Sequence, residues 1–408
     1  MNGRNHGLIM ALPGVALAGL LYATGVVRDL PAAPETSQSL RPYSVGNTAG
    51  WVQANSSGFG TAHNEAIHRL SVFNDYLYAG TGNDVNGGQV WRTSSGATWT
   101  QVNVSGFGNV ANEVARVGVA FNGRLYVGTE NPGSGAEIWR CALCDGSDWT
   151  RVVSAGLGLV DNYAVGHIEA FSGTLYATVN NTASGARVWK SASGDSGDWS
   201  QTNTAGFGDG RNTELWGIGV LNGYLYVSTA QWEAYDTNTH TGIEVWRTQN
   251  GSNWQQVNAD GFGNRNNVDG CITTFNNTLY VGTYNPSSRA QVWRCATCAG
   301  SDWSQVSSSG FGDTNNDGIE FMLPFGADLY ATTHNASSGT EAWVTGDGLH
   351  WAQMNRDGFG NSHNKSVYSG AVFNSHLFLG LKNSTQGGQV WLRLHLATYL
   401  PLVYKAGL

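Results

Sequence analysis

A G-[FL]-G tripeptide begins at Gly58, Gly106, Gly156, Gly206, Gly261, Gly310 and Gly358, at intervals of 48 to 55 residues. Six residues after each first Gly stands an Asn: Asn64, Asn112, Asn162, Asn212, Asn267, Asn316 and Asn364. An L-[YF] pair follows at Leu77, Leu125, Leu175, Leu225, Leu279, Leu329 and Leu377. One tryptophan series is Trp91, Trp139, Trp189, Trp246, Trp293, Trp343 and Trp391; a second is Trp51, Trp99, Trp149, Trp199, Trp254, Trp303 and Trp351. A unit this short cannot bury its own apolar face, so seven copies must stack on one another.

Each unit holds four short runs of alternating apolar residues bounded by Gly, Asn and Ser, the pattern of β-strands. In the second copy the expected strands are 117–122, 124–129, 136–140 and 149–154. Four strands per unit, seven times over, predict an all-β chain: a seven-bladed β-propeller of four-stranded blades over residues 50–393. The first Trp strand precedes any complete unit, and the last unit stops after its third strand. Strand 51–56 is therefore expected to complete the last blade and remove a free edge.

The turn between third and fourth strands reads Thr345-Gly-Asp347-Gly348-Leu-His-Trp351 in one copy. Thr248-Gln-Asn250-Gly251 and Thr93-Ser-Ser95-Gly96 lead to Trp254 and Trp99 in others. These turns resemble a shortened Asp-box (BNR), the S-x-D-x-G-x-T-W motif of sialidase-like propellers. The resemblance implies the fold; in that family the box is a folding element and brings no activity. The sialidase R-I-P segment is absent from the sequence, although Arg69, Arg116, Arg211 and Arg265 fall near the expected ligand face.

Outside the repeats, residues 1–27 carry an uncharged run from Leu8 to Val27 containing Ala16-Leu17-Ala18. This reads as a signal peptide, with an N-terminal membrane anchor as the alternative. Both place the rest of the chain outside the cytoplasmic membrane, secreted or anchored by its N-terminus. Residues 28–49 form a linker, and 394–408 a tail containing Tyr399-Leu400-Pro401-Leu402-Val403. Charged residues make up 12% of the chain and the net charge is −8, so no basic field exists to gather nucleic-acid phosphates.

Departures from the repeat are where function is sought. Trp216 and Trp232 are the two tryptophans outside both series, and Trp232 stands in an insertion with Glu233, Tyr235, Asp236 and His240. These rings and carboxylates suit sugar recognition, with an ordinary packed insertion as the alternative. Four residues beyond each repeat Asn, the chain has His68, Arg116, Gly166, Trp216, Cys271, Glu320 and Tyr368, a non-repeating ring expected at the mouth of the channel. Ligand contacts are thus expected at Trp216, Trp232, Glu233, Tyr235, Asp236 and Tyr368. Glu214, Glu320, His68 and Arg116 are the catalytic candidates if the chain is an enzyme.

Asp313, Asn315 and Asp317 resemble the opening of a calcium loop but lack its closing glutamate, so no firm metal or cofactor is expected. Cys141/Cys144 and Cys295/Cys298 occupy matching turns separated by two other units, which favours two local disulfides over one zinc site. Cys271 is left free. The sequence reads as an exported binding module for carbohydrate or a cell-surface partner through one face. A polysaccharide-cleaving hydrolase or lyase and a surface scaffold are the alternatives.

Overall fold

The computed structural model describes residues 50–231 and 239–394; the expected leader and linker, and the tail beyond Leu394, lie outside them. Apart from seven short turns, every regular element among the described residues is a β-strand, and all pairing is antiparallel. No helix among them is long and apolar enough to cross a membrane. The second repeat shows the pattern: strands Val114–Phe121, Arg124–Glu130, Ile138–Cys141 and Thr150–Val153, each paired with the next. These match the sequence-derived strands to within a few residues, the usual scatter at strand ends.

Each first strand packs on the first strand of the following repeat, and that of the last, Ser366–Phe373, packs on that of the first, Ala66–Phe73. The ends of the described chain share a sheet. Trp51–Gln53 runs antiparallel to Gln389–Arg393, with Trp51 opposite Arg393 and Gln53 opposite Trp391. The apolar core is divided among the junctions between repeats. Phe73, Tyr78 and Val90 of the first repeat meet Val117, Leu125 and Val127 of the second, and Phe373, Phe378 and Val390 of the last meet Ile67 and Leu77 of the first.

The G-[FL]-G segments are four-residue turns in which two successive residues are left-handed, Gly58 at φ 57° and Phe59 at φ 52° in the first copy. Glycine accepts this freely; phenylalanine does so at a cost of roughly 1–2 kcal/mol. The strain places the Phe ring between both tryptophan series. Phe59 stacks on Trp91 at 4.5 Å and meets Trp99 edge-on at 5.4 Å, and Phe262 does the same with Trp293 and Trp303. Aromatic pairs contribute about 0.5–1.5 kcal/mol each beyond burial, which offsets the backbone cost. The adjoining turn needs glycine for space as well: a Cβ on Gly87 would lie 2.7 Å from the Gly106 backbone.

The repeat asparagines are fully buried pillars. Asn64 Nδ2 donates to the Gly58 carbonyl at 2.9 Å and to Gln89 Oε1 at 2.7 Å, while its Oδ1 accepts from Asn83 Nδ2 at 2.9 Å. Gln89 Oε1 also accepts from Trp91 Nε1. Glu137, Glu244 and Glu341 take the place of Gln89 in their repeats, so these buried carboxylates are structural. The third repeat departs: Arg187 occupies the position, and Trp189 Nε1 is left buried without an acceptor.

Both expected disulfides are formed, Cys141–Cys144 and Cys295–Cys298, with Cα separations of 5.0 and 5.1 Å. Asp148 and Asp302 cap the backbone N–H groups of those turns. Asp347 does so in a short turn, where Leu349 and His350 donate to it.

Candidate functional site

Where the first strands meet, a cavity of about 620 Å³ opens among residues of six repeats and the closing one. The non-repeating ring read from the sequence lies on its wall: His68, Arg116, Trp216, Cys271, Glu320 and Tyr368 all line it. Gly166 is the exception; its neighbour His167 lines the cavity instead. A register shift between Val165 and His167 turns the next side chain inward, and similar shifts follow Ile67, Leu215, Ile319 and Val367. Such bulges re-aim side chains, which is why both His68 and Arg69 reach the wall.

One side of the wall is basic. Arg116, only 4% exposed, pairs through Nη2 with Glu130 at 2.5 Å, and its guanidinium lies 5.1 Å from the Trp216 ring centre. Its Nε and Nη1 are buried without acceptors. Arg69 donates from Nη1 to the Tyr368 carbonyl at 3.2 Å, and its Nη2 bonds the His167 imidazole. Lys382 Nζ sits 5.9 Å from the centre of the Tyr368 ring. Burial, reinforced by these cations, holds His68 and His167 well below the ordinary imidazole value, so both are neutral near pH 7.

The other side is acidic. Glu214 accepts from Tyr163 Oη on one oxygen and from Trp216 Nε1 on the other. Both oxygens of this catalytic candidate are therefore committed, and what it does is fix the Trp216 ring. Glu320 lines the cavity, and burial pushes its carboxyl above the usual range, opposed by His334 and Lys382 and helped by Asp317. His334 Nδ1 and Asp317 Oδ1 are 2.5 Å apart. Burial alone would lower the His334 pKa, but the bond to Asp317 and the nearby Glu320 raise it. Cys271 is free, donates to the Ile319 carbonyl at 3.3 Å, and has a thiol pushed up by burial.

Among the other sequence candidates, Trp232, Glu233, Tyr235 and Asp236 lie outside the described residues. Asp313 accepts from the backbone and side chain of Asn315, and Asp317 is bound to His334 instead of turning toward Asp313. Among the described residues no three His, Cys, Asp or Glu side chains converge as a metal site. Glu130, Tyr284, His334 and Lys382 were not singled out from the sequence. They end the second strands, directly before a second buried series that donates to the repeat asparagines: Asn83, Asn131, Asn181, Gln231, Asn285, Asn335 and Asn383. Variation just ahead of that series is the signal that could have found them.

No family model matches the chain, and no curated protein matches it. Solved structures do. An ancestral GH74 enzyme, a propeller fold, aligns with 82% of this chain at TM-score 0.56 and 13% identity. A luciferin-regenerating enzyme covers 69% of the chain (TM-score 0.47) and a prolyl endopeptidase 81% (TM-score 0.48), each at 10% identity. The chain spans about half the length of the GH74 structure, 48%. At this identity the likeness shows the fold alone: an all-β, propeller-like arrangement of antiparallel strands. The two disulfides are compatible with an extracellular protein.

Proposed function

We propose that the chain is an exported seven-bladed β-propeller with degenerate Asp-boxes, and that its central cavity is a single asymmetric binding site for carbohydrate. The cyclic contacts of seven first strands and the shared end sheet support the blade count. The observation that carries the functional reading is Trp216. It is the tryptophan outside the repeat among the described residues, it lines the cavity, and its ring is fixed by Glu214, which Tyr163 in turn holds. A fixed aromatic plane beside donors and acceptors is how proteins hold a sugar ring and its hydroxyls. The lining does not recur sevenfold, so one site is expected instead of one per blade.

A panel of glycans and polysaccharides incubated with the purified protein tests this, read both for retained protein and for released reducing ends or unsaturated products. Retention without product, lost at least tenfold in Trp216→Ala while the thermal unfolding midpoint is kept, supports the binding module. Retention unaffected by Trp216→Ala overturns the site. Glu320 favours a second reading: a buried, cavity-facing carboxyl with a raised pKa is the form a glycosidase acid takes. Product that disappears in Glu320→Gln would establish that reading.

A further inference from the structure

Carboxylates outnumber cations on the cavity wall: seven line it, against Arg69, Arg116 and Lys382. Part of the surplus collects near Trp216. The Glu113 N–H donates to the Glu130 carbonyl at 2.9 Å, and the Asn83 N–H donates to the Glu113 carbonyl at 2.7 Å, which brings Asp84 alongside. Backbone bonds hold these three carboxylates together, and like charges facing one another across strands are destabilising. Arg116 pairs with Glu130, but its Nε and Nη1 reach no acceptor, and neither Asp84 nor Glu113 has an ion pair among the described residues. Burial, with Glu130 and Asp84 beside it, pushes the Glu113 carboxyl up. Glu320, from the sixth repeat, is a separate case: it lines the cavity with no ion pair of its own among the described residues, since its neighbour His334 is bound to Asp317. Carboxylates held this way are costly until a cation arrives, and the net charge of −8 favours cations over the whole molecule.

We propose that the ligand is an amino sugar, whose ammonium seats against Glu113 and Asp84 while its ring lies along Trp216. The inference rests on the carbohydrate reading and deepens it. Arg116 links the two parts of the site: its guanidinium lies 5.1 Å from the Trp216 ring centre and holds Glu130, the neighbour of Glu113. An ammonium carries three donors and a charge, so it can bridge two carboxylates that the protein leaves unpaired.

The test is calorimetric titration of the full chain with three β-1,4-linked probes of matched length: a glucosamine oligomer, its N-acetylated form and a glucose oligomer. The buffer is mildly acidic, so that the free amines carry protons, and spermidine serves as a sugar-free polycation. At least tenfold tighter binding of the glucosamine oligomer over both neutral probes is expected. That preference should fall to near unity in Glu113→Gln and decline in Asp84→Asn, both of which leave the Arg116–Glu130 pair intact. Each substitution removes a like charge, so the thermal unfolding midpoint should be kept; Asp84 is exposed, which makes its variant the safeguard if Glu113→Gln fails to fold. Neutral probes that bind as tightly as the glucosamine oligomer, or more tightly, overturn the proposal and leave the carbohydrate reading standing. Spermidine binding without any glycan binding overturns the amino sugar together with the carbohydrate reading. Silence from all four probes overturns both as well. A preference for the amine that survives both substitutions overturns the placement at Glu113 and Asp84.

Discussion

The outer shell of the molecule and the wall of its cavity use the same strands under opposite constraints. In the shell, one solution recurs: an aromatic ring between two tryptophans, and an asparagine whose amide bonds a turn carbonyl and a neighbouring Gln or Glu. On the wall the ring position differs from repeat to repeat: His68, Arg116, Trp216, Cys271, Glu320 and Tyr368 stand at equivalent places in six repeats. The shell is selected for junctions that must all close alike. The wall is free of that demand and can specialise. The third repeat teaches how much deviation the shell tolerates: Leu157 replaces the Phe, Arg187 the Gln or Glu, and the Nε1 atoms of Trp189 and Trp199 are buried without partners.

If the comparison holds, the shell should be costly to alter. Phe262→Ala removes a ring packed on Trp293 and Trp303 while relieving some backbone strain, and should destabilise by about 3 kcal/mol in urea unfolding. A loss below about 1 kcal/mol would sink the claim that these rings hold the junctions. In the opposite direction, Arg187→Gln should repair the third repeat by giving Trp189 Nε1 an acceptor, as Gln89 does for Trp91. A gain of about 1 kcal/mol is expected; destabilisation would show that Arg187, which also bonds Gly185 and Ser184, has become its own pillar.

The wall should respond more weakly. Glu320→Gln is expected to alter stability only as a function of pH. Because burial raises the Glu320 pKa, the folded protein holds that proton more tightly than the unfolded chain. Its contribution is present below the ordinary carboxylate range and is lost as pH rises through the folded value. The variant should therefore match the parent in acid and gain on it toward neutral pH, and parallel pH–stability curves would refute the assignment. Tyr368→Phe should change stability by less than about 1 kcal/mol; a shell-sized loss would erase the distinction between wall and shell.

Much of this was legible in the residues, unevenly. The strand order, the closure by Trp51 and the two disulfides follow from sevenfold recurrence and matched cysteine spacing. The wall was legible only as a departure from recurrence. That signal located His68, Arg116 and Trp216, yet passed over Glu130, His334 and Lys382, whose variability sits beside a conserved-in-repeat Asn series that had not been used. It also named Glu214 a catalytic candidate, and could not show that Tyr163 and Trp216 occupy both of its oxygens.

The sequence by itself determined the period, the strand content and the invariant packing, because local periodicity and repeated turn chemistry are written along the chain. Only the tertiary structure decided which side chains share the cavity and which of them pair there. Those facts depend on bulges that re-aim single residues and on distances between strands far apart in the chain. Neither is encoded in any one repeat.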